Sequence, residues 1–238
     1  MSLALGATIE SGVPQGSILG PLLFNIYMND IFWFTHEVNI ANYADDSTPY
    51  TTSNDVDTLL DILQKNTEIL MLWFNENYMK SNNDKCHLVI SSPDEVSVKI
   101  GQDEIVSEKS VKLLGVTIDK KLNFIEHVSN LCQKASMKLH ALARISRYLS
   151  EHKLKIIMKT FIQSQFNYCP LLWMCHSRCL NQKINKLHER ALRVVYNNSD
   201  LTYEELLEKD KSFTTHERNL QKLATEMYKV KHSLCPKS

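Results

Sequence analysis

The chain has 238 residues, 43% hydrophobic and 23% charged, with 27 basic and 27 acidic residues, which is ordinary globular composition. Only 6 Gly and 6 Pro argue against long disordered linkers, and the best apolar run, Ile18 to Phe24, is interrupted by Gly20 and Pro21 and too short to span a membrane. No positive charge precedes the apolar first residues, so a secretory signal is not expected, and six cysteines are too sparse for a disulfide scaffold. The expectation is an intracellular protein, nuclear or cytoplasmic, with free thiols.

The first ten residues read as the tail of a strand or loop, and Ser11 to Gly16 as a turn. Helical periodicity runs from Ser17, an expected N-cap, to about Phe32, with Leu22, Leu23, Ile26, Tyr27 and Ile31 expected inside. Val38 to Tyr50 reads as a β-hairpin with Asp45 and Asp46 at its turn, Val38, Ile40 and Asn42 sharing one side. Asp55 to Asn77 is a long amphipathic helix with Leu59, Leu60, Leu63, Ile69, Leu70, Trp73 and Phe74 inward. Short strands follow at Cys86–Ser91, Val96–Ile100 and Val111–Ile118. Beyond Phe124 only helices are expected. Val128, Leu131, Ala135, Leu139, Leu142 and Ile145 mark one; Leu154, Ile157, Met158, Phe161 and Ile162 mark another. Leu180, Ile184, Leu187, Ala191 and Val194 mark a third, and 201–207 and 216–232 add two more. The class is α+β: a small antiparallel sheet with helices, then an all-helical region, with the boundary near residue 119.

Charge is unevenly spread. Residues 1–64 hold no Lys or Arg and eight acids, whereas residues 134–193 hold twelve Lys/Arg and two acids. Lys183, Lys186, Arg190 and Arg193 recur at spacings of three and four and so form one helical stripe; Lys134, Lys138, Arg144 and Arg147 add to the basic surface. Such a stripe holds phosphates or is a solvated face. Asp45 and Asp46 repel one another on a tight turn, an arrangement that a divalent cation would neutralise and that a solvated turn also tolerates. Cys169, Cys175, His176 and Cys179, with His188, offer a zinc set without a second matching pair, so buried structural thiols are the favoured reading.

Gly12-Val-Pro14-Gln15-Gly16-Ser17-Ile-Leu-Gly20-Pro-Leu-Leu-Phe24, followed by Tyr43-Ala44-Asp45-Asp46, resembles the reverse transcriptases of non-LTR (LINE-type) retrotransposons. Trp73-Phe74-Asn75 through Lys80–Cys86, then Leu113-Leu114-Gly115-Val116-Thr117-Ile118-Asp119 with Leu122 and His127, then Phe166–Pro170 with Trp173, are similar to the family's later motifs; the resemblance covers roughly residues 10–198. It implies an RNA-directed DNA polymerase, a nucleotidyltransferase using Mg²⁺ or Mn²⁺, an RNA template, a DNA primer and deoxynucleotide triphosphates. By domain it implies a partial palm over 1–118, a helical thumb-like domain over 119–198 and a C-terminal helical extension over 199–238. By residue it implies Asp45 and Asp46 as metal-binding catalytic carboxylates and Lys85 as a catalytic residue near the triphosphate. Pro14, Gln15, Gly16, Ser17 and Tyr43 would line the nascent base pair. Leu113, Leu114 and Gly115 would hold the primer, and the stripe Lys183, Lys186, Arg190 and Arg193 would hold the nucleic-acid backbone.

The family's third carboxylate comes from an upstream strand, and Glu10, the only acid before Ser11, does not match it. The fingers find no match either. The expectations are therefore a palm truncated relative to the family, inactive by itself, whose metal binds only if the site is completed. Loss of that strand should leave sheet edges and the apolar side of the Ser17–Phe32 helix uncovered. The alternatives are a non-catalytic nucleic-acid-binding remnant and a half-enzyme completed by another chain, the missing N-terminal part of the polymerase.

Overall fold

The computed structural model describes residues 16–174 and 178–234, and the chain divides into two compact units between Glu108 and Lys109. In the first unit, Ser17 Oγ accepts the Gly20 N–H at 2.9 Å and Pro21 occupies the first turn of α1 (Gly20–Met28). Proline fits there because its missing N–H has no partner to lose. Four residues, Ile31–Phe34, form α2. The carboxylate of Asp55 caps α3 (Val56–Glu76) by accepting from Thr58 N–H at 2.8 Å and Thr58 Oγ1 at 2.7 Å. Leu70 and Trp73 of α3 bury against Met28 and Ile31, and Phe24, Ile40, Phe74 and Met79 flank this small core. Asn66, on the same face, satisfies its buried amide by donating to the Ile62 carbonyl at 2.8 Å.

The expected inner face of α1 is corrected. Ile31 is fully buried and Tyr27, though partly exposed, donates to the Asn77 carbonyl and meets the Trp73 ring, but Leu22, Leu23 and Ile26 are exposed and with Ile18 and Leu19 leave an apolar stripe, as expected for a side without its upstream strand. Periodicity records which residues share a face. It does not record what, if anything, packs on it.

β-structure consists of three separate antiparallel hairpins rather than one sheet. They are β1 (Asn39–Tyr43) with β2 (Asp46–Tyr50), β3 (Ser97–Ile100) with β4 (Asp103–Val106), and β5 (Ser110–Leu113) with β6 (Val116–Asp119). Pro49 sits within β2 opposite Ile40, which a two-stranded ribbon tolerates because both of its strands are edges. The expected strand Cys86–Ser91 is only an isolated bridge, Leu88 to Ser107. Pattern alone reads Val111–Ile118 as one strand, but it is a hairpin, as the family resemblance implies there, reversed at Leu114–Gly115, whose φ values of 46° and 85° are both left-handed. An apolar run cannot announce such a reversal, and only the glycine marks it. Within the first unit, β3 packs on α3, where the Gln64 side chain accepts from Lys99 N–H at 2.7 Å and donates to its carbonyl at 3.1 Å.

The second unit carries the larger core. Its helices are α4 (Ile125–Ile145), α5 (Glu151–Ile157), α6 (Pro170–Trp173), α7 (Arg178–Tyr196), α8 (Tyr203–Asp210) and α9 (Thr215–Lys231). Val128, Ala135, Leu139 and Leu142 of α4 meet Leu180, Ile184, Leu187, Ala191 and Val195 of α7. Ile145 is exposed at the end of α4. After α5 the backbone widens into a π-helical turn, Met158–Ile162, and the buried residues Leu154, Met158, Ile162 and Phe166 then recur every fourth position. That wider turn rotates Phe161, expected inside, out to solvent. Two capping boxes, Thr202 with Glu205 and Thr214 with Glu217, start α8 and α9. Leu206 is fully buried, with Leu201, Tyr203 and Leu207 beside it, so α8 joins this core. No described helix is long and apolar enough to cross a membrane.

Candidate functional site

Burial alternates along β1 but not along β2, where Ser47, Thr48 and Pro49 are all half-buried. Ile40, Asn42, Ser47 and Pro49 are half-buried, with Ile40 against the core, while Asn39, Ala41, Tyr43, Asp46 and Tyr50 are exposed. The two-residue turn is Ala44–Asp45, and Ala44 takes a left-handed φ of 53°. Asp45 therefore stands in the turn itself, and Asp46 opens β2 opposite Tyr43. Both carboxylates are exposed, and among the described residues neither is hydrogen-bonded or ion-paired. Hard oxygen donors held together this way fit a divalent cation that takes its remaining ligands from water and phosphate. Among the described residues no group of three or more His, Cys, Asp or Glu could hold a metal ion. One register step below the tip, the Asn42 amide and the Ser47 hydroxyl face each other, occluded and unpartnered. Unmade hydrogen bonds of this kind cost about 1–3 kcal/mol each.

Of the loop preceding α1, Pro14 and Gln15 lie outside the described residues. Gly16 has a φ of +82°, a left-handed angle that favours glycine, and no described residue lies within 4 Å of where a Cβ would stand. Ser17 spends its hydroxyl on the Gly20 N–H. Lys85 is exposed on a 3₁₀ turn, Asn83–Lys85, which is tied to β4 by Asn83 Nδ2 donating to Asp103 at 2.7 Å. No ion pair joins Lys85 to Asp45 or Asp46.

In the second unit the β5–β6 hairpin is braced from several sides. Asp119 accepts from the N–H groups of Lys121, Asn123 and Phe124, closing the turn into α4. His127 Nδ1 accepts from Thr117 N–H at 3.3 Å, and burial followed by the nearby Lys134 holds this imidazole below its usual pKa, in the neutral form that can accept. Tyr168 donates its hydroxyl to the Leu114 carbonyl at 2.6 Å, and Trp173 donates to the Tyr168 carbonyl at 3.0 Å. Tyr168 Cε1 lies 3.6 Å from where a Gly115 Cβ would sit. Leu113, Leu114 and Gly115 thus form a hairpin tip fixed by a residue 54 positions away, a link with no local signal in the chain.

On α7, Lys183, Lys186 and Arg190 are exposed on one side, opposite the buried Ile184, Leu187 and Ala191. Arg193, the fourth member of the stripe, is half-buried, bonded to Glu189 at 2.8 Å and to the Ser199 carbonyl. Lys134, Arg144 and Arg147 are exposed and Lys138 half-buried. Cys175 and His176 lie outside the described residues. Cys179 is exposed rather than buried, and His188 Nδ1 is engaged by the Tyr203 hydroxyl at 2.9 Å. Sequence reading passed over Arg218 and Lys222, half-buried on α9; two cations four residues apart on an otherwise unassigned helix were the available signal.

Residues 4–118 match the family described as reverse transcriptase (RNA-dependent DNA polymerase). The chain is 31% identical over 141 residues to the RNA-directed DNA polymerase from mobile element jockey of Drosophila melanogaster, covering 55% of this chain and 15% of that protein. The jockey polymerase of Drosophila funebris is 28% identical over 201 residues, 79% of this chain and 22% of its own. The probable RNA-directed DNA polymerase from transposon BS of Drosophila melanogaster is 24% identical over 209 residues, 82% of this chain and 23% of its own. The chain thus spans roughly a fifth of these curated relatives' length. No solved structure matches it.

Proposed function

We propose, from the membership of residues 4–118 in the reverse transcriptase family of retrotransposon polymerases, that this chain supplies the metal-binding hairpin and the duplex-holding helices of an RNA-directed DNA polymerase. The observation that carries the reading is the pair Asp45 and Asp46, exposed and unpartnered at the tip of a two-residue hairpin turn. A bound Mg²⁺ or Mn²⁺ at these carboxylates would polarise the phosphoryl oxygens of an incoming deoxynucleotide. Gly16 and Ser17, with Pro14 and Gln15 before them, border the nascent base pair, Tyr43 flanks the carboxylates, and Lys85 meets the triphosphate. Leu113, Leu114 and Gly115 support the primer end on a tip held rigid by Tyr168. Residues 1–118 act as the palm part, 119–198 as the thumb, and 199–238 as a C-terminal extension of it.

Thumb residues grip a template–primer duplex through its phosphates, without reading bases. Lys183, Lys186 and Arg190 are the exposed cations for this, and Arg193 positions the end of α7 through Glu189 and Ser199. Changing all three exposed cations to Gln is expected to lower the slope of log affinity against log salt by about 3, at about 0.9 per phosphate contact. Fluorescence anisotropy with an RNA–DNA heteroduplex reads this slope.

Primer extension on an RNA template with a DNA primer, in Mg²⁺ and then Mn²⁺, tests the catalytic part. The chain by itself is expected to incorporate little, and whatever incorporation it shows, alone or with its site completed, is expected to drop at least about tenfold in Asp45→Asn. Extension that persists in that variant removes Asp45 from the mechanism. The unmatched third carboxylate favours one second reading: a binding unit that needs carboxylates from another chain. Heteroduplex binding without incorporation, restored by adding a separately made upstream polymerase fragment, is its signature.

A further inference from the structure

The second unit holds a cleft that the reading above does not use. Its volume is about 340 Å³, and it is lined by Asn167, Arg218, Gln221, Lys222, Thr225 and Glu226. Arg218 and Lys222 lie one turn apart on α9, so both cations face the same space. Arg218 donates to Thr215 Oγ1 at 3.1 Å, but its Nε is occluded and unpartnered. Lys222 reaches only a backbone carbonyl, that of Asn167, at 3.3 Å. Neither forms an ion pair with a described carboxylate. The one acid of the lining, Glu226, is taken up by Lys229 at 2.8 Å. Burial lowers the pKa of both cations, and the Arg218 charge depresses Lys222 further. Two desolvated, mutually repelling cations around an orphaned donor are stabilised by an oxyanion that accepts from both.

Position selects the source of that oxyanion. Lys222 bonds Asn167, and the next residue, Tyr168, bonds the Leu114 carbonyl at the β5–β6 tip. The cleft and the hairpin tip are therefore braced by one loop. We propose that Arg218 and Lys222 form a phosphate-binding site on the C-terminal helix, taking a backbone phosphodiester of the nucleic-acid strand that runs past the β5–β6 tip. This rests on the duplex-holding reading above and gives α9 a role in it.

The test uses the full chain with Lys222→Gln, Arg218→Lys and the Arg218→Gln/Lys222→Gln pair, each checked for native helicity and unfolding midpoint. Anisotropy with an RNA–DNA heteroduplex is read across salt, and inorganic phosphate is titrated in parallel by calorimetry. The pair is expected to lower the salt slope by about 1, the count for one phosphate, and to weaken binding at fixed salt more than Lys222→Gln does, with Arg218→Lys close to wild type. An unchanged slope in the folded pair, while the Lys183/Lys186/Arg190 variant still lowers it, overturns this site and leaves the duplex reading standing. Failure of the wild type to bind heteroduplex overturns both. Inorganic phosphate bound in the cleft with no change in the duplex slope overturns the assignment to nucleic acid in favour of a free anion.

Discussion

Lys155→Met is expected to destabilise the helical unit by about 3–5 kcal/mol, the cost of leaving the fully buried Asp210 carboxylate without its cation. Asp210 ends α8 with its side chain fully buried. Its carboxylate meets Lys155 Nζ of α5 at 2.6 Å and accepts from the Tyr196 hydroxyl of α7 at 2.7 Å, while Lys155 also donates to the Asp210 carbonyl at 2.9 Å. Three helices are joined at one carboxylate. Burial pushes its pKa up, but the bonds from Lys155 and Tyr196 outweigh burial and hold it below the ordinary value. A depressed acid contributes stability above its unfolded pKa, and that contribution is lost as pH falls through the folded value. Urea unfolding followed by far-UV circular dichroism measures the effect. Asp210→Ala should cost less, because the Lys155 ammonium left behind is partly exposed and can turn to water, and the double variant Asp210→Leu/Lys155→Met should recover part of the Lys155→Met loss. Single variants that unfold within about 0.5 kcal/mol of wild type, as an ordinary surface change would, remove the cluster from the account of how residues 199–234 are held.

A second large effect is a loss of stability in mild acid. His188 of α7 is buried beneath α8, with Nδ1 on the Tyr203 hydroxyl at 2.9 Å and Nε2 unpartnered. Burial, then the Arg218 charge, lowers its pKa from 6.5 to about 4. Between those two values the unfolded chain binds a proton that the folded chain refuses, so stability rises with pH across that window. As pH falls from about 6.5 to about 4 the unit should lose about 3 kcal/mol through this group, with no further loss from it below. His188→Gln removes the titration, so its stability should change less over the same window even if the variant is weaker throughout. An equal slope in wild type and variant sends the acid sensitivity elsewhere. The cluster and this histidine together make the C-terminal segment part of the folded unit, which the placement of Arg218 and Lys222 requires.

Much of this protein was legible in its sequence because the physics is local. Helix starts follow from side chains that reach the next turn, as with Asp55 on Thr58, and from the apolar repeats that define α3, α4 and α7. The first hairpin is likewise local: a short run of alternation before Ala44–Asp45 sets its turn and exposes both aspartates. The motif resemblance to reverse transcriptases is also a property of residue order, and the family match over 4–118 agrees with it.

Tertiary structure decided what packs on each face and which distant residues meet. Leu22, Leu23 and Ile26 share a helix face as their spacing requires, yet they are exposed, because burial depends on a covering partner that periodicity does not encode. The π-helical turn shifted the phase of one helix and turned Phe161 outward, a change of one residue in register that no propensity marks. Lys155 with Asp210, Tyr168 with Leu114 and Lys222 with Asn167 each pair residues more than fifty positions apart. Such contacts form only once the core of α4 and α7 has brought distant segments of this unit together, so residue order alone could name the chemistry of Asp45 and Asp46 but could not find these pairings.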